Sequence, residues 1–106
     1  MKLLLISDDI VFSQTESENI FNTHIFPLLD NTKEIAILKP SSIEIYSIKM
    51  ARKLNIPYIG FIDNAEAAAA YADIVFYVRK IGSEKSLAII QCEFLGKPVS
   101  VLSIAA

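Results

Sequence analysis

Five apolar runs recur along the chain, "KLLLIS" (2–7), "EIAIL" (34–38), "PYIGFI" (57–62), "DIVFYV" (73–78) and "PVSVLSI" (98–104), with helix-like stretches between them. Each is strand-sized and rich in Ile, Val or Leu. A strand with one wet face alternates apolar and polar residues, whereas a strand covered on both faces reads as nearly continuous apolar sequence. The runs therefore require helices on both faces of one sheet. Strand and helix alternate four times before a fifth strand. This predicts an α/β fold: a small doubly wound, Rossmann-like domain with a five-stranded parallel sheet and helices on both faces. A length of 106 residues fits one domain, 1–106. No linker, repeat or low-complexity segment divides it, and the chain reads as complete.

The intervening segments carry helix signals. From Ser13 to Leu29 one stripe holds Ile20, Phe21, His24, Ile25, Leu28 and Leu29, opened by the capping box Ser13-x-x-Glu16. Pro27 should end or kink this helix near Phe26. A second helix starts at Ser41 or Ser42, with Ser41-x-x-Glu44 as its box and Ile45, Ile48, Ala51 and Leu54 as its apolar face. A third, "AEAAAAYA", has high helix propensity and is expected to be capped by Asp63. The fourth should run from about Glu84 to Leu95, with Gly96 closing it and Pro98 beyond.

Several function classes are disfavoured. The net charge is −2 and no basic run exceeds two residues, which argues against nucleic-acid binding. One cysteine, Cys92, and one histidine, His24, exclude an intrachain disulfide and a Cys/His zinc site. No metal or cofactor is expected. A Ser-His-Asp triad would have to use His24, inside a helical pattern. The apolar runs fall far short of the roughly 20 residues of a membrane span. The N-terminal run is too short for a signal peptide, so a cytoplasmic protein without membrane contact is expected.

Parallel sheets of this kind hold ligands beyond the carboxyl ends of their strands. The loops there are "SDDIVFS" (7–13), "KPSS" (39–42), "DNAE" (63–66) and "RKIGSEKS" (79–86), each leading into a helix N-terminus, where unpaired N–H groups favour anions. The last is the best phosphate candidate. Gly82 permits close approach, Ser83 and Ser86 offer hydroxyls, and Arg79, Lys80 and Lys85 bring charge. The same residues also make a good turn and cap. Lys39, Ser41 and Ser42 are candidates for a second phosphate or a sugar. Neither a Walker P-loop nor a glycine-rich dinucleotide fingerprint is present. Asp8, Asp9 and Asp63 at strand ends suggest a rival, a Mg²⁺ site like that of phospho-receiver domains. That family's Ser/Thr after the fourth strand and Lys-Pro after the fifth are missing.

"ARKLNIP" (51–57), "YADIVFYV" (71–78), "IGSEKS" (81–86) and "LGKPVSVL" (95–102) together resemble the SLOG superfamily of Rossmann-like nucleotide-binding proteins. The closest likeness is to small members related to YspA and YpsA, with similarity to the DprA and LOG branches. The resemblance implies a pocket for a nucleotide or nucleotide-derived, phosphate-bearing ligand, and a homodimer. The family's Gly-Ser-Arg after the first strand is replaced by Ser7-Asp8-Asp9. Its glycine-rich loop after the second is replaced by "KPSSIEIYS". On this likeness Gly82, Ser83 and Ser86 would hold phosphate, with Lys39, Arg79 or Lys80 neutralising it. Asp8, Asp9 and Asp63 would take ribose hydroxyls, base edges or Mg²⁺. Two alternatives remain open. One is a degenerate member serving as an interaction or oligomer module. The other is a deoxyribosyltransferase-like or LOG-like enzyme cleaving an N-glycosidic or phosphoribosyl bond. In the transferase pattern Ala88 stands where the nucleophilic Glu belongs.

Overall fold

A computed structural model describes residues 1–38 and 41–105. Five strands, β1 (Lys2–Ser7), β2 (Glu34–Ile37), β3 (Tyr58–Phe61), β4 (Ile74–Lys80) and β5 (Val99–Ile104), form one all-parallel sheet in the order β3-β2-β1-β4-β5. Among the described residues the α-helices are α1 (Gln14–Ile20), α2 (Ser42–Lys53), α3 (Ala65–Tyr71) and α4 (Leu87–Phe94). The architecture is the doubly wound α/β sheet that the apolar runs predict.

Side-chain alternation divides the core in two. Leu3, Leu5, Ile35, Ile37, Phe76 and Val78 face the α1/α2 side, joined by Phe21, Ile25 and Ile43. Leu4, Ile6, Ala36, Val75 and Tyr77 face the other side, under Ala68, Ala69, Ala88, Ile89 and Cys92 of α3 and α4. β1 lies in the middle of the sheet with Leu3 to Ile6 buried, which is why its sequence is uninterrupted Leu and Ile. Cys92 is a core residue, and burial pushes its thiol pKa up.

Caps set the helix ends. Ser13 and Glu16 form the full capping box of α1. The helix does not simply stop at Pro27. It loosens to a π-helical turn over Phe21–Ile25, then tightens to a 3₁₀ turn over Phe26–Asn31 with Pro27 in its first turn, where a missing N–H costs nothing. The cap of α3 is Asn64, whose Oδ1 accepts from the Ala67 N–H at 3.0 Å, and not Asp63. The neighbouring acid has the right chemistry, but Asn64 is the residue that immediately precedes the first helical turn. α4 starts at Leu87, not Glu84, because residues 80–83 make a turn of their own. It ends in a Schellman motif. Lys97 N–H donates to the Cys92 carbonyl and Gly96 N–H to that of Glu93, with Gly96 at φ +70°. α2 ends the same way on Asn55, at φ 59°, with Ile56 N–H donating to the Ala51 carbonyl. Among the described residues no helix is long and apolar enough to cross a membrane.

Candidate functional site

The chain reverses its direction of winding between β1 and β4, and the loops after these two strands diverge over the sheet there. This is the switch point, the usual ligand crevice of such sheets. It is occupied from within. Asp8, the first residue after β1, continues the sheet by donating its N–H to the Val78 carbonyl at 2.8 Å. Its carboxylate then receives three donors from the far side of the crevice. Tyr77 Oη donates to Oδ1 at 2.7 Å, Lys80 N–H to Oδ2 at 2.7 Å, and Ser83 Oγ reaches Oδ2 at 2.7 Å. Ser83 Oγ lies equally close, at 2.7 Å, to the Lys80 carbonyl, so its one proton serves either acceptor. Burial, then the hydrogen bond and charge of Asp8, push the Tyr77 phenol up to about 12, which keeps it a donor. The backbone at Ser86 and the charge of Arg79 act in the opposite direction.

The loop expected to cradle phosphate is therefore tied to Asp8. Ser83 N–H closes a turn on the Lys80 carbonyl at 3.1 Å with Gly82 third in the turn at φ +90°, the position of a type II turn that calls for glycine. Gly82 has open space around it, so its conformation, not close approach to a neighbour, explains it. Arg79 donates to the Ser83 carbonyl at a long 3.5 Å. Lys85 turns along α4 to pair with Glu93 at 3.1 Å. Ser86 immediately precedes α4, but its hydroxyl makes no cap hydrogen bond.

The other expected residues divide. Ser7 is buried and donates to Ser41 Oγ at 2.8 Å. Ser41 Oγ also accepts from Glu44 N–H at 3.4 Å as the cap of α2. Ser42 Oγ accepts from Phe12 N–H at 3.2 Å, fastening the loop after β1 to the start of α2. Asp9 is exposed. Asp63 follows β3, which lies two strands from β1, so it does not join Asp8, and among the described residues no cluster of three metal-ligating groups exists. Lys39 lies outside the described residues.

Beside the crevice, on the α1/α2 face, lies an open cleft of about 380 Å³ that the sequence reading did not anticipate. Its walls are Phe12, Ile45 and Tyr46. Among the described residues its polar groups are Gln14, Ser17 and Ser42, and its single charge is Lys49. A second cleft of about 350 Å³, between α1 and β5, carries Glu16 and His24 instead. Phe12 was legible in part. It sits immediately before the Ser13 cap, where an apolar residue normally staples to one four positions into the helix, but here that position is Ser17. Phe12 joins the core cluster with Ile43 of α2 instead, and so forms the cleft wall. Tyr46 and Lys49, one turn apart on α2, share its line.

No known protein-family model, curated protein or solved structure matches this chain.

Proposed function

We propose that the chain binds a small nucleotide-derived ligand without catalysis, in the cleft between α1 and α2 and not on the loop after β4. The observation that carries this reading is the contrast in charge between the two places. At the switch point the donors that a phosphate needs already hold the Asp8 carboxylate, so an incoming anion would meet both a competitor and a repulsive charge. In the cleft, the described lining has two aromatic rings, three neutral hydrogen-bonding side chains and one cation, and among the described residues no acid. A volume of about 380 Å³ lies within the range of small-molecule sites. A flat base fits against Phe12 and Tyr46. Ser42, Gln14 and Ser17 supply donors and acceptors for its edge, and Lys49 neutralises a phosphate.

A thermal-shift screen with nucleosides, mononucleotides and dinucleotides tests this. A ligand at 100-fold its Kd stabilises by about 2.7 kcal/mol, a rise of several degrees at this chain length. The expected rise disappears in Tyr46→Ala and weakens in Lys49→Gln, while Ser83→Ala keeps it. A rise that survives Tyr46→Ala and is lost in Ser83→Ala would return the site to the loop after β4. No rise across the panel would remove the reading.

A second reading, the interaction module, is favoured by a separate feature. α4 is apolar on the side turned away from the sheet as well as on its buried side.

A further inference from the structure

A helix that packs on a sheet is expected to be apolar on one face and polar on the other. α4 breaks this rule. Ala88, Ile89 and Cys92 are buried against the sheet, yet Leu87, Ile90 and Phe94, at helical spacing on the opposite side, are 61, 48 and 85 % exposed. Val101 of the edge strand β5, on the sheet face that α4 packs on, is also 53 % exposed. Together with Leu95 these side chains present on the order of 500 Å² of apolar surface, near the upper end of the largest patch on a typical monomer. That is more than half of the roughly 800 Å² per partner of a standard interface.

The charges around the patch indicate what covers it. Glu84 and Lys85 precede the N-terminal end of α4, and Glu93 and Lys97 sit at its C-terminal end, two acids and two bases in all. A patch with net charge repels its own copy, whereas this one is neutral. The order also matters. With two copies antiparallel, Glu84 meets the second copy's Lys97 and Leu87 lies over Phe94, while Lys85 and Glu93 stay paired within each chain at 3.1 Å. In the parallel arrangement like charges meet. We propose that this face docks on the same face of a second copy of the chain, with the two α4 helices antiparallel about a two-fold axis near Ile90. Such an isologous contact is the commonest form of closed assembly. The inference is independent of the ligand reading, since the cleft is on the other face of the sheet.

Sedimentation of the full chain across a concentration series tests it. A species of twice the 11.8 kDa chain mass is expected at micromolar concentration. Phe94→Glu and Ile90→Glu, both at exposed sites, should each weaken association at least about 30-fold, with the far-ultraviolet dichroism unchanged. Lys97→Glu should weaken it about 3- to 10-fold, and adding Glu84→Lys should restore it. Should the glutamate variants fail to fold, chains carrying Glu84→Cys and Lys97→Cys are mixed under mild oxidation. Disulfide-linked pairs between the two variants are then expected in excess over pairs of either alone. A chain that stays monomeric at 100-fold higher concentration, or a dimer indifferent to Phe94→Glu and Ile90→Glu, would overturn the proposal. So would a cysteine experiment that yields no excess of mixed pairs. An apolar partner of different sequence would appear as the first of these results.

Discussion

Asp8 supplies, from inside the chain, the negative charge that a bound phosphate supplies in many parallel-sheet proteins. A carboxylate fixed by the protein competes with any ligand anion at very high effective concentration, and it is held by one phenol, one hydroxyl and one backbone N–H. Hydrogen bonds to charged groups are worth about 1.5–3 kcal/mol, and donors left without an acceptor add to the loss. Asp8→Ala is therefore expected to lower stability by about 2–3 kcal/mol in urea titrations, whereas Ser86→Ala, which removes no cap bond, should stay within about 0.5 kcal/mol. Tyr77 gives the network a pH signature. Its folded pKa is raised to about 12 from an ordinary 10, so the unfolded chain loses this proton first. Its contribution is complete below pH 10 and is lost as pH rises through 12. Tyr71, raised by burial and by Glu34, adds to the same fall. Melting temperatures of the wild type should drop steeply above pH 10, and Tyr77→Phe should drop less steeply while starting lower.

At the scale of elements, the caps give the clearest expectations. Asn55 holds the left-handed position that ends α2, at φ 59°, so Asn55→Gly should be neutral or stabilise by up to about 1 kcal/mol. Asn55→Val should destabilise by more than that, read from denaturant midpoints. Much of this level was legible in the sequence. The strands lie within two residues of the apolar runs, because a strand buried on both faces has no other composition to choose. The Ser13–Glu16 box and the Gly96 stop were equally plain, since each is local chemistry. The π and 3₁₀ turns after Ile20 were not, because apolar spacing alone does not distinguish 3.6 residues per turn from its neighbours over one turn. Asp63 and Asn64 are adjacent residues with similar capping power, and only the backbone path decides between them.

For the whole molecule, strand order decides what each residue can do. The order β3-β2-β1-β4-β5 brings Asp8 against Tyr77 and Ser83, residues 69 and 75 positions away, and sends Asp63 two strands outward. Sequence reading marked Asp8 and Ser83 separately but did not show that one fills the other's site, since adjacency of β1 and β4 is a long-range fact. The cleft was missed for the same reason. Phe12 and Tyr46 belong to different elements and meet only when α1 and α2 pack side by side. What the fold provides is a conventional ligand crevice closed by its own carboxylate and, next to it, an open cleft with no acid among the described residues that line it. An amide chemical-shift map of the ¹⁵N-labelled chain titrated with adenosine monophosphate tests that account most directly. It predicts saturable shifts confined to residues 12–17 and 42–49, with 81–88 unmoved. Shifts centred on Gly82, Ser83 and Ser86, or none at millimolar ligand, would contradict it.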